Sequence, residues 1–164
     1  MNTLELQHAV EQFLYAQAEL CDRQQWDEYL ACFDPTAEFH VPQWDSEHVA
    51  TTDPKREMSM IYYANRGGLE DRIFRLRTGK SAASHPMPRT LHQVSNVRIQ
   101  DRGQGLLQVG AKWNTHYTRH GQADCYFGEV SYELRQVDGG FSILRKHVLL
   151  LNDRINAVLD FYHL

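Results

Sequence analysis

The sequence predicts an α+β domain, a cone-shaped two-layer arrangement in which N-terminal helices pack on a strongly curved, mainly antiparallel sheet. Three observations predict it. Apolar residues recur at spacings of three and four near the start of the chain. Strand-length segments divided by turn residues fill the second half. The 164 residues, 42% hydrophobic and 23% charged, suffice for one core but not two, so one domain over residues 1–164 is expected.

Leu6, Val10, Phe13, Leu14 and Ala18 make an amphipathic helix over residues 4–20, with Thr3 in position to cap it. Trp26, Tyr29, Leu30 and Phe33 form the stripe of a shorter helix over 24–33, ended by Asp34-Pro35, because a residue preceding proline leaves the helical region. Residues 37–44 and 58–65 read as strands and 45–57 as a loop. Helical spacing returns over 67–80 through Leu69, Ile73, Phe74 and Leu76, with Asp71 and Arg75 four apart and able to pair. Ser84 to Pro88 reads as an extended loop, and Gly67-Gly68 and Gly139-Gly140 as turn material. Four long strands follow, over 90–100, 106–120, 125–137 and 141–152, joined by glycine-bearing turns. In the second of these, Val109, Ala111, Trp113 and Tyr117 share one face. Successive hairpins make the sheet antiparallel. Helices with one apolar stripe each then lie on one of its faces and enclose an interior.

The formal charge of −4 argues against a nucleic-acid partner. No stretch approaches the ~20 apolar residues of a membrane span, and the opening residues carry no basic region followed by an apolar run, so a soluble, cytoplasmic protein is expected. Cys21, Cys32 and Cys125 form no closely spaced pair and are expected to be reduced, mostly buried thiols. His116 and His120 fall in a predicted strand, where four residues span ~13 Å, too far to share one metal ion. No phosphate loop, nucleophile elbow or dinucleotide fingerprint occurs. An acid–base pair inside the cone, drawn from His40, His92, His147, Asp34 and Glu129, is the remaining catalytic candidate. Against it, histidines among apolar neighbours are usually hydrogen-bonded core residues.

One segment stands apart: Arg66, Arg72, Arg75, Arg77 and Lys80 fall close together in a chain that is acidic overall. Arginine predominates there, and its planar fork suits interface ion pairs. A solvated helix face laced with local pairs is the plainer alternative.

Asn65-Arg66, Leu69-Glu70-Asp71-Arg72, Arg75-Leu76-Arg77-Thr78-Gly79, Pro88-Arg89-Thr90 with His92 and Val94, and Ser95-Asn96-Val97 resemble the small (β) subunit of aromatic-ring-hydroxylating dioxygenases. The resemblance runs over essentially the whole chain. The ending Leu159-Asp160-Phe161-Tyr162-His163-Leu164 is similar to the branch acting on benzoate, 2-halobenzoate and anthranilate. It implies an NTF2-like (cystatin-like) cone, the fold of nuclear transport factor 2 and scytalone dehydratase. It also implies a chain without catalytic residues, cofactor or metal, whose large (α) partner carries a Rieske [2Fe-2S] cluster and mononuclear Fe(II). The β subunit would hold an α3β3 hexamer, with NADH electrons arriving through a reductase and both atoms of O2 added to the ring. Arg66, Asp71, Arg72, Arg75 and Arg77, with Tyr63 and Trp113 as aromatic anchors, are the expected contacts to the large subunit. Arg72→Ala or Arg75→Ala is accordingly expected to weaken assembly without unfolding the chain. Two alternatives stay open: a free-standing NTF2-like dehydratase or isomerase acting through His92 or His147, and an interaction module for some other partner.

Overall fold

A computed structural model describes all 164 residues. Helix α1 (Thr3–Asp22) begins at a capping box. The Asn2 side chain accepts from the Glu5 amide at 2.9 Å, and the Glu5 carboxylate accepts from the Asn2 amide at 2.8 Å. The cap is therefore Asn2 rather than Thr3, because Asn2 has an acidic residue three positions on and completes the reciprocal pair. Its inward stripe is Val10, Leu14, Gln17 and Cys21.

Helix α2 (Trp26–Ala31) is shorter than its apolar spacing suggests. Phe33 already belongs to strand β1 (Phe33–Pro42), where the Ile143 amide donates to the Cys32 carbonyl at 2.9 Å. Pro35 is tolerated inside this strand because the register breaks between Phe33 and Glu38, so the missing proline N–H removes no ladder bond.

After β2 (Ser59–Tyr63), helix α3 (Gly67–Thr78) starts on the two glycines that read as a turn. Gly68 is needed there because the Tyr63 ring lies across it: a Cβ would sit 2.2 Å from Tyr63 Cγ. Gly79, at φ +67°, ends the helix in the left-handed region that favours glycine.

Strands β3 (Arg89–Gly103), β4 (Leu106–Arg119), β5 (Gln122–Val137) and β6 (Gly140–Leu150) form the predicted meander. The six strands lie in the order β2-β1-β6-β5-β4-β3, antiparallel throughout except where β1 runs parallel to β6. The alternation read in β4 holds, with Val109, Ala111, Trp113, Thr115 and Tyr117 all buried. Most of these side chains join Val10, Leu14 and Cys21 of α1 in one core, and an aromatic cluster built on Trp26, Tyr29, Phe33 and Phe161 closes its end. Short 3-10 turns occupy Ala82–Ser84 and Phe161–His163. No helix is long and apolar enough to cross a membrane.

Candidate functional site: a filled interior and a tethered helix

The proposed acid–base residues do not converge. His92 lies opposite Thr115 of β4 and faces the interior. His147 lies opposite Ser131 of β5, and beside His40, on the outer face of the sheet. The His40 and His147 rings meet edge-on at 5.1 Å, and His40 Nε2 lies 3.0 Å from Ser59 Oγ. Asp34 accepts from Thr36 two residues on, and Glu129 pairs with Lys112 at 2.5 Å on the outer face.

His92 has a partner that sequence reasoning missed. Asp22, the last residue of α1, accepts from the His92 amide at 2.9 Å and from Thr90 Oγ1 at 2.8 Å, and meets His92 Nδ1 at 2.5 Å. Against burial, which works the other way, the His92 and Thr90 hydrogen bonds hold the Asp22 carboxyl below its ordinary pKa. The dyad ties the end of α1 to the start of β3. Nothing in the sequence marks it, because its members lie 70 residues apart.

The interior leaves a cavity of only about 20 Å³, bordered by Gln17, Cys21, His92, Trp113, Lys146 and Leu164 among others. That is room for one water molecule, against the ~300 Å³ or more of a small-molecule site. The filling comes partly from the last residues of the sequence. Phe161 packs on Trp26 and Tyr29, and His163 on Tyr117 and Tyr126 at 5.1 and 5.3 Å, while Tyr162 Oη lies 2.8 Å from Ser84 Oγ. Lys146 Nζ donates to Gln17 Oε1 at 3.0 Å and to the main-chain oxygen of Leu164 at 3.5 Å. Burial pushes this ammonium down to about 8.

Burial also pushes His163 down to about 4, and its Nδ1 accepts from the Asp160 amide at 3.0 Å. The unfolded imidazole titrates near ~6.5. The unfolded chain therefore binds the extra proton first as pH falls, so this contribution is complete above pH ~6.5 and is lost toward pH 4. Thermal denaturation between pH 7 and 4 should show that decline, at most ~1.4 kcal/mol per pH unit from this group. His163→Phe should flatten it, and an unchanged acid limb in that variant would assign the decline elsewhere. His147, also held near 4 by burial and by Arg145 and His40 beside it, supplies a second, more solvent-screened portion.

The basic segment is sorted by its partners. Arg66 donates through Nε to Glu70 at 2.7 Å and through Nη1 to the Phe33 carbonyl at 2.9 Å. Arg72 forks onto the buried carboxylate of Asp160, and Arg77 reaches Asp27 of α2 at 2.7 Å. The expected Asp71–Arg75 pair does not form: the i,i+4 pair of this segment is Arg66–Glu70, and both Asp71 and Arg75 stay exposed. Tyr63 is half-buried against Gly68. Trp113 is 6% exposed and donates through Nε1 to the Glu129 carbonyl at 3.0 Å. As an anchor for a partner Trp113 is corrected to a core residue, as its place in the inward alternation of β4 requires.

His, Cys, Asp and Glu side chains nowhere gather in threes. His120 leaves the strand at φ +53°, while His116 Nε2 faces Cys125 Sγ at 4.0 Å across the β4–β5 ladder. Neither a Rieske cluster nor a mononuclear iron site fits the residues of this chain. Cys21 is fully buried, which pushes its thiol up to about 12; Cys32 and Cys125 are half-buried, and burial raises both.

Tethered helix, meander sheet and filled interior define a cone-fold domain whose interior cavity is only about 20 Å³. Residues 16–157 match the family described as ring hydroxylating beta subunit. The anthranilate 1,2-dioxygenase small subunit of Acinetobacter baylyi is 48% identical over 161 residues, covering 98% of this chain and 99% of that one. The 2-halobenzoate 1,2-dioxygenase small subunit of Burkholderia cepacia is 44% identical, over 92% of each chain. The crystal structure of the benzoate 1,2-dioxygenase β subunit of Burkholderia mallei superposes with a TM-score of 0.79 at 34% identity, covering 94% of this chain and 95% of that one. The chain belongs to the ring-hydroxylating dioxygenase β-subunit family, in the branch of the anthranilate, 2-halobenzoate and benzoate small subunits. It is thus an oxidoreductase component whose family partners a large subunit.

Proposed function

We propose that this chain is the non-catalytic structural subunit of the oxygenase component of an aromatic-ring dioxygenase. It holds three large subunits in an α3β3 hexamer, acting as one β-subunit domain over residues 1–164 in the cytoplasm. The large subunit supplies the Rieske [2Fe-2S] cluster and mononuclear Fe(II), and a reductase delivers electrons from NADH. The substrate is a benzoate- or anthranilate-type acid, by similarity to the small subunits named above. One observation carries the structural role beyond family membership: the interior, where a cone-fold enzyme would work, is packed with the chain's own side chains. His92 and His147 lie on opposite faces of the sheet and share no site, which disfavours the dehydratase reading.

The test is co-expression with the large subunit, followed by sizing chromatography, iron analysis and NADH-dependent oxygen uptake with benzoate, anthranilate and salicylate. The expected result is a hexamer that contains iron and turns over only when both chains are present. Turnover of a small molecule by this chain alone, with no association to the large subunit, would overturn the proposal.

A further inference from the structure

The polar atoms around the interior cavity are short of partners. Gln17, Tyr29 and His92 all border it, and Gln17 Nε2, Tyr29 Oη and His92 Nε2 are buried without a hydrogen-bond partner in the protein. Orphaned polar atoms are rare in folded interiors, because each has given up its bonds to water. Three around one small cavity point to a ligand that serves them together.

Their chemistry says which ligand. The Lys146 ammonium carries only donors, so it takes the oxygen of the Gln17 amide and leaves the Gln17 NH2 group free to donate elsewhere. Lys146 uses one N–H on Gln17 and one on the Leu164 carbonyl, which leaves its third. On the other side, the Asp22 carboxylate at 2.5 Å draws the ring proton of His92 onto Nδ1, so Nε2 of the neutral ring is an acceptor. The cavity is thus bordered by donors from Gln17 and Lys146, an acceptor from His92, and a Tyr29 hydroxyl that serves as either. His92 also faces the outside. An open cleft between the end of α1 and β3 has Asp22 and Thr90 in its wall, and Ala18, His92, Gln93 and Val94 border both the cleft and the cavity. The His92 side chain, 7% exposed, is the partition between them.

We infer that the cavity binds one water molecule, which accepts from Gln17 Nε2 and Lys146 Nζ and donates to His92 Nε2, and that this water completes a proton relay from the buried ammonium to the cleft. The volume of about 20 Å³ suits a single water. A small anion would meet the lone pair of His92 Nε2. Along the relay, a proton leaving Lys146 Nζ passes to the water, and the water gives one of its own to His92 Nε2. The imidazolium so formed is held by Asp22 and releases its Nδ1 proton to the cleft, so the charge of Asp22 is the same before and after. Cys21, Cys32, Tyr29 and Tyr132, the other titratable groups around the cavity and the ammonium, keep their protons because burial raises all four. The interior is thereby open to protons and to nothing larger.

The test uses the full-length chain in two measurements. Crystals grown in sodium bromide should show one water-sized density peak within hydrogen-bond distance of Gln17 Nε2 and His92 Nε2, without anomalous signal. An anomalous peak there would make the ligand an anion, and the absence of any peak would make the cavity dry; either result overturns the inference. In solution, NMR of the 15N-lysine-labelled chain reads the exchange of the Lys146 Nζ protons with solvent, the signal being assigned by its loss in Lys146→Met. His92→Gln keeps a donor for Asp22 but cannot take up a proton, and should slow that exchange about 100-fold, the lower end of what a positioned proton-transfer group contributes. Asp22→Asn leaves the ring and removes the charge that holds the imidazolium; it should slow exchange as well, and it decides the matter if His92→Gln does not fold. Exchange at the parental rate or faster in a folded variant would overturn the relay.

Discussion

Arg72→Ala lowers the stability of the isolated chain by about 2–3 kcal/mol, before any question of assembly arises. The guanidinium reaches both carboxylate oxygens of Asp160, a residue 5% exposed. Removing one partner of a buried pair strands the other charge away from water, which costs ~3–5 kcal/mol in a fully buried setting. Arg72 is itself about a quarter exposed, and solvent screening reduces the figure. For a domain of this size the loss corresponds to a melting temperature roughly 5–10 °C lower. Asp160→Asn in the same chain should recover part of it, since the neutral amide costs less to bury and Asp160 also caps the last turn by accepting from the Phe161 amide at 2.8 Å. Calorimetry of the parent, the two single variants and the double variant measures the coupling directly. An unchanged melting temperature in Arg72→Ala would remove the tether and restore Arg72 as a free interface residue.

Lys146→Met produces the second large effect, and its size depends on pH. The lysine titrates near 8 in the folded chain and near ~10.4 when unfolded. Between those values the unfolded state holds the proton and the folded state releases it, so the contribution of Lys146 rises with pH. It is least favourable below pH 8 and complete above ~10.5, a span of about 3 kcal/mol. Methionine fills a similar volume and does not titrate. The stability of the parent minus that of the variant should therefore climb by about 3 kcal/mol from pH 7.5 to 10.5, read by urea denaturation at matched ionic strength. Both chains carry Cys21→Ala and Cys32→Ala in this measurement, because those thiols lie beside the ammonium and their titration is coupled to it. Parallel pH profiles would mean that the ammonium reaches water after all.

Sequence patterning carried the architecture wherever contacts are local or repetitive. The strands of the meander, the inward alternation of β4 and the stripe of α1 follow from residue spacing alone, and each is observed. Trp113 shows how far that logic reaches, since its place between Ala111 and Tyr117 already assigns it to the core. The features that escaped are long-range and polar. Asp22 with His92, Arg72 with Asp160 and Lys146 with Gln17 each join residues at least 70 positions apart. No periodicity encodes them, because a single charged residue at an element boundary looks the same whether it points to water or to a partner. Phe74 escaped for a different reason: helical spacing groups it with apolar neighbours, and only the packing of Leu69 and Ile73 shows that it lies on the other side.

The parallel pairing of β1 with β6 bears on the order in which the chain becomes ordered. Glu38 and Arg145, 107 residues apart, sit side by side in that pair. Strand β1 emerges early in synthesis, yet its neighbour on one edge is β6, the last strand made. Until then β1 and β2 are a lone two-stranded ribbon, which is marginal in water. Closing so long a loop is a slow step, and it leaves the Phe33 and Phe39 side chains uncovered while the meander is still being made. The β1 edge therefore stays open until β6 has been made, and slowed translation between Gly121 and Gly140 should lengthen that exposure.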